Sequence, residues 1–205
     1  MVRMNRSGIV LVGLALLAGC GAEEGAEATQ DGVVGEGMEL ATVAAVEGEY
    51  TAQAYCDDVT TWDAKWANFE SEVIAMVNQR RAAGATCGGV SKPAVPAVVL
   101  DTRLRCAARK HSKDMAVNNF FSHTGTGNTL PWDRMKLAGY TYNAAGENIA
   151  ANQDSAAAVM ASWMNSTGHC NNIMNGSFKK LGVGYYYRAS GAAYKHYWTQ
   201  DFGAP

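Results

Sequence analysis

Three polar side chains in short, distinctive settings are the first candidates for chemistry. His123 follows Phe120-Phe121-Ser122, Glu147 sits within Ala145-Gly146-Glu147-Asn148-Ile149-Ala150, and His169 lies in Gly168-His169-Cys170-Asn171-Asn172. Two neutral imidazoles and a carboxylate are a donor set for Zn²⁺ or another divalent metal, with a fourth position open, and such an ion polarises a bound water. His123 and His169 stand 46 positions apart, so spacing does not assign the site. Each histidine also reads as a hydrogen-bonded cleft residue without metal, and Glu147 as a brace that accepts backbone N–H groups. Ser122 beside His123 suggests a serine hydrolase, but no nucleophile elbow or orienting third residue accompanies it. Cys170 beside His169 suggests a Cys–His hydrolase, yet such partners meet in space rather than as chain neighbours. His111 falls on an apolar helical stripe and reads as packed; His196 alternates along a strand and reads as exposed.

These residues must be positioned by elements that the pattern locates. Order is expected from Tyr55, where Trp62, Trp66 and Phe69 bring aromatic mass. Phe69, Val73, Met76 and Val77 form a helical stripe, with Arg80 and Arg81 on the last turn, where cations suit the helix dipole, and Gly84 as the stop. A second helix starts after Asp101, a good N-cap, and carries Leu104, Ala107, Ala108, His111 and Met115 on one face. A third follows Pro131, suited to a first helical position, and Gly139 ends it; a fourth runs from Ser155 to Met164. Then the period changes. Leu181–Arg188 and Tyr194–Phe202 are aromatic and β-branched runs around Ala189-Ser190-Gly191-Ala192, a hairpin signal. Helices first and strands later predict an α+β fold with helices covering an antiparallel sheet.

The first 50 residues differ in kind. Arg3 and Arg6, an apolar run from Ile9 to Leu17 and a small-residue exit describe an export signal over residues 1–19, too short to span a bilayer. The exit Leu17-Ala18-Gly19-Cys20 resembles a bacterial lipoprotein cleavage box, with Cys20 as the lipidated residue. Residues 20–54 then read as the lipidated Cys and a disordered acidic tether: eight acids and no Lys or Arg fall between Gly21 and Tyr50. Residues 55–205 form the domain. After Tyr50 there are 15 basic and 11 acidic side chains, mildly basic but without the Lys/Arg block that tracks nucleic acid, so no nucleic-acid partner is expected. Export leaves Cys56, Cys87, Cys106 and Cys170 for two disulfides in an oxidising compartment, and spacing does not choose among their three pairings.

Six segments in order carry a resemblance. Asn78-Gln79-Arg80, Ala108–Met115, the His123 and Glu147 segments, Trp163–Met174 and Tyr197–Gly203 together resemble the CAP superfamily, also called SCP-like, which includes cysteine-rich secretory proteins, venom allergens and plant pathogenesis-related proteins. The likeness covers about residues 66–203. It implies a three-layer α-β-α sandwich with a mainly antiparallel central sheet and a cleft holding two histidines and two acids, the pair of histidines able to bind zinc. His123, Glu147 and His169 match three of those four. The second acid should follow the helix-four tryptophan, but Trp163-Met164-Asn165-Ser166-Thr167 has no carboxylate, so a triad is expected. The resemblance also implies pairing of Cys87 with Cys170, leaving Cys56 for Cys106.

Fold does not settle function. The first expectation is a surface-tethered module, not an enzyme, that binds a small apolar molecule, a lipid or sterol, or an extracellular protein partner. It would be anchored to the cell envelope by lipid, at the outer membrane in a two-membrane cell. The alternatives are a metal-assisted hydrolase of peptides or envelope material, with Glu147 as acid/base, and a structural surface protein with a vestigial cleft.

Overall fold

The computed structural model describes residues 51–205. The export signal, Cys20 and the acidic segment through Tyr50 lie outside the described residues. The chain begins with α1 (Ala52–Cys56), passes through a 3-10 turn and enters α2 (Ala64–Ala83). A small antiparallel hairpin, β1 (Ala85–Cys87) and β2 (Val90–Lys92), comes next. Then follow β3 (Val99–Leu100), α3 (Thr102–Val117), α4 (Pro131–Leu137), β4 (Ala144–Ala151), α5 (Ala156–Asn165), α6 (Thr167–Ile173), β5 (Lys180–Tyr187) and β6 (His196–Ala204).

Local chemistry sets the helix ends. The Asp63 side chain accepts the Lys65 and Trp66 amides, Asp101 those of Arg103 and Leu104, and Ser155 that of Ala158, satisfying donors that an opening turn leaves unpaired. Gly84 and Gly139 follow α2 and α4 with φ of 76° and 79°, a conformation that stops a helix at little cost only when no Cβ is present.

The class is α+β, and the four-stranded sheet has the order β3-β5-β6-β4. β5–β6 and β6–β4 are antiparallel; the short β3 runs parallel to β5. Alternation divides the sheet into two faces. Leu181, Val183, Tyr185, Trp198 and Phe202 join Val73, Val77, Trp163 and Ile173 in one buried cluster, so α2, α5 and α6 cover that face. Each large apolar side chain fully buried there contributes roughly 1.5–3 kcal/mol. The other face lies under α3. Gly182 and Gly184 let it approach so closely that a Cβ at either would overlap the backbone of residues 104–105 or 108–109. Two disulfides, Cys56–Cys106 and Cys87–Cys170, close separations of 50 and 83 residues and contribute about 4 kcal/mol each by chain entropy.

Several sequence expectations are corrected. Helix begins at Ala52, inside the segment read as tether. Residues 144–151 are a strand that the pattern did not announce, because Ala-Ala-Gly-Glu-Asn-Ile-Ala-Ala has neither the alternation nor the β-branched content of a strand. Arg81 does not serve the helix dipole at the surface. It is wholly buried and donates to the carbonyls of Pro96, Ile173, Asn175 and Phe178, stapling the loops before β3 and after α6 to α2. His196 is half-buried, its Nδ1 2.8 Å from the Tyr185 hydroxyl.

Candidate functional site

The site straddles β4, an edge strand of the sheet. Glu147 projects from β4 onto the α3 face, opposite Asp201 of β6. Its side chain is 1% exposed, whereas that of His123, on the loop after α3, is 52% exposed. His123 Nδ1 lies 2.7 Å from Glu147 Oε1, so the Nδ1–H donates to the carboxylate and Nε2 is not used in this contact. Arg134, in the first turns of α4, closes the arrangement. Its Nη2 donates to Glu147 Oε2 at 2.7 Å and to the His123 carbonyl at 3.0 Å, and Nη1 to the Thr129 carbonyl. One buried guanidinium therefore holds both the carboxylate and the loop that carries the imidazole.

His111 comes from α3 and is fully buried, 4.0 Å from Glu147 Oε1 through Nε2. That Nε2–H donates to the Ser122 carbonyl at 2.9 Å, fixing the residue next to His123. Burial, only partly offset by the charge of Glu147, pushes its pKa down to about 4, so it is neutral at physiological pH. Burial would raise the Glu147 carboxyl, but the His123 hydrogen bond, His111 once it is protonated in acid, and the charge and hydrogen bond of Arg134 overcome it and hold the group below its ordinary value. Asp201 goes the other way. It is wholly buried, and burial followed by the negative charge of Glu147 raises it well above the carboxylate range. Two neighbouring carboxyls in a dry site do not both ionise.

His169 arrives from the opposite face of the sheet, on α6. Asn148 Nδ2 donates to its carbonyl, and Asn172 Nδ2 to Asn148 Oδ1 and to the Glu147 carbonyl, so α6 is pinned along β4. The Cys87–Cys170 disulfide fixes the same turn. Burial and then the charge of His123 lower the His169 pKa, keeping it neutral and available as a ligand.

The expected ligand triad is not what this geometry builds. Both Glu147 oxygens are engaged, one by His123 and one by Arg134, and among the described residues no three His, Cys, Asp or Glu side chains converge as a metal site. A divalent ion, if bound, would find its imidazole donors in His123 and His169, with Glu147 held against His123 Nδ1 as a carboxylate that orients a ligating imidazole. The serine- and cysteine-hydrolase readings lose their nucleophiles. Cys170 is disulfide-bonded and buried, and the Ser122 hydroxyl accepts the Thr124 amide rather than engaging His123. Arg134, Asp201 and His111 are the residues that sequence reasoning missed. Asp201 lay in the quoted Tyr197–Gly203 segment, but only strand register places it beside Glu147.

Residues 74–202 match the model of the CAP family, described as the cysteine-rich secretory protein family. The chain belongs to the CAP family. Over 134 residues it is 36% identical to an uncharacterized protein of Bacillus subtilis, YkwD, covering 65% of this chain and 46% of that protein. It is also 36% identical over 92 residues to the uncharacterized membrane protein YlbC of Bacillus subtilis, covering 45% of this chain and 24% of the relative. The chain thus spans less than half the length of these curated relatives. Among solved structures, an extracellular SCP-domain protein of Bacillus anthracis superposes on the CAP domain with a TM-score of 0.57 at 28% identity, covering 71% of this chain and 45% of that one. An outer surface protein of Borrelia burgdorferi superposes at 0.58 with 17% identity, covering 70% of this chain and 96% of that one, a likeness of fold alone. Among the described residues no helix is long and apolar enough to cross a membrane.

Proposed function

We propose that this CAP protein is an extracellular, surface-tethered binding module, carried to the cell envelope by lipid on Cys20 and presenting the His123–His169 cleft to a divalent cation, a small ligand or a protein partner. One observation carries the reading. The His123 imidazole is oriented by buried Glu147 and Arg134, keeps its second nitrogen in solvent, and has no activated Ser or Cys nucleophile beside it. That is a rigid recognition group rather than an acyl-transfer apparatus. The Bacillus anthracis relative is an extracellular protein, which supports the export reading of residues 1–19.

Calorimetric titration of zinc into the metal-stripped protein, beside a His123→Ala/His169→Ala double variant, tests the cleft. Micromolar or tighter one-to-one binding that the variant loses makes it a metal site. Equal weak binding by both directs the search to lipids and protein partners. Membrane fractionation of Cys20→Ser tests the anchor: the protein is expected to leave the membrane pellet, and its full retention there rules out anchoring through Cys20.

A second reading, a metal-assisted hydrolase of peptides or envelope material, is favoured by the carboxylate-backed imidazole, an arrangement suited to a water-activating ion. Zinc-dependent peptide hydrolysis that disappears in the same double variant would select it.

A further inference from the structure

A concavity that shares no lining residue with the His123–Glu147 constellation has the features of a built site. We propose that the hollow between residues 52–60, the first half of α3 and the end of α4 binds a small organic anion, a carboxylate or phosphate head on a short apolar stem. It encloses about 400 Å³, within the range of small-molecule pockets. Arg103, Arg105 and Arg109 line it, and among the described residues no Asp or Glu does.

The three arginines are not equivalent. Arg103 gives Nε and Nη2 to Asp101 and lies over the Tyr140 ring. Arg109 gives its fork to Glu70 and its Nη1 to the Val59 carbonyl. The Arg105 side chain has no hydrogen bond or ion pair with any described residue, although it is half-buried. Burial and then the adjacent charge of Arg109 hold it below the usual guanidinium range. A guanidinium with an unfilled planar fork matches a carboxylate or phosphate bidentately; Glu70 offsets part of the Arg109 charge felt by Arg105, and an anion in the hollow supplies the partner that Arg105 itself lacks. Neutral and cationic ligands leave that charge uncompensated. The rest of the wall explains the stem: Val59, Ala138 and the Cys56–Cys106 disulfide are apolar, and burying CH₂ groups against them adds roughly 0.8 kcal/mol each.

The test is calorimetric titration of the full chain with hexanoate, hexyl phosphate and hexanol. At least one anion is expected to bind one-to-one and saturably, with hexanol at least about tenfold weaker, because a charge-assisted hydrogen-bond pair is lost; the tighter of the two anions identifies the head group. Arg105→Gln is expected to abolish the anion's advantage over hexanol. Gln53→Trp, which fills the hollow from the facing helix α1, is expected to abolish binding of all three. His123→Ala/His169→Ala should leave this binding unchanged, which separates it from the cleft. The proposal is overturned if neither anion saturates, if hexanol binds as well as both, or if folded Arg105→Gln binds them undiminished. If Arg105→Gln does not fold, undiminished binding by folded Gln53→Trp overturns it equally.

Discussion

Glu70 and Glu147 are both buried carboxylates paired with a buried arginine, yet only one of them is connected to solvent. Glu70, on α2, is closed on all sides. Arg109 Nε reaches both of its oxygens at 3.0 and 3.1 Å, Nη2 reaches Oε2 at 2.6 Å, and the Tyr185 amide donates to Oε1. Arg109 in turn lies over the Trp62 ring, 4.9 Å from its centroid. Every group points inward, and the pair locks α2, α3 and β5 together. Glu147 gives Arg134 only one oxygen and offers the other to an imidazole that is half in water. The same pairing is structural when the arginine takes the whole carboxylate, and becomes part of a site when one oxygen is left for a residue that meets ligand. A buried ion pair by itself is weak evidence for either role.

The comparison can be broken most severely at the closed pair. Arg109→Met leaves Glu70 buried without its partner and is expected to cost about 3–5 kcal/mol in urea unfolding, whereas Glu70→Leu/Arg109→Met together should recover most of that loss. If the double variant stays as unstable as the single one, the pair contributes more than mutual neutralisation.

The next effect belongs to the open constellation. His111 titrates near 4 when folded and near 6.5 when unfolded. Its contribution to stability is therefore full above about pH 6.5, declines as pH falls toward 4, and is absent below that; the span corresponds to roughly 3 kcal/mol. Unfolding free energies between pH 7.5 and 4 should show this loss, and His111→Gln should flatten it.

Asp201 has the opposite sign. Its folded carboxyl is raised by burial and by Glu147, so stability present in acid is lost as pH rises above the ordinary carboxylate range. Asp201→Asn should therefore be more stable than the parent at pH 7, with the advantage shrinking toward pH 4 in thermal melts. The smallest effect on stability is expected at His123. His123→Ala removes a half-exposed side chain and should change stability by no more than about 0.5 kcal/mol, while removing whatever the cleft binds. A large loss of stability would make His123 structural and erase its contrast with the closed pair.

Much of this was legible in advance, and what was missed was of one kind. Asp101 and Ser155 as caps, Gly84 and Gly139 as stops, the α3 stripe and the β5–β6 hairpin all depend on neighbours a few positions apart. Their signals therefore lie in the local sequence. His123, Glu147 and His169 were found through the order of six short segments, and the structure brings all three to one edge of the sheet, though not as a ligand triad. β4 escaped notice because its small residues carry no period. Arg81 resembled an ordinary surface cation, since no local pattern separates a solvated arginine from one aimed at distant carbonyls.

By itself, then, the sequence determined the class, four of the helices and three of the residues gathered at the site, because capping, periodicity and turn formation are short-range. Only the tertiary structure decided their roles. The register of β4 against β6 set Asp201 beside Glu147, and the packing of α4 put Arg134 on the Glu147 carboxylate. Those contacts join residues 13 and 54 positions apart, a separation over which the chain carries no local signal and only the burial of a shared core brings the groups together.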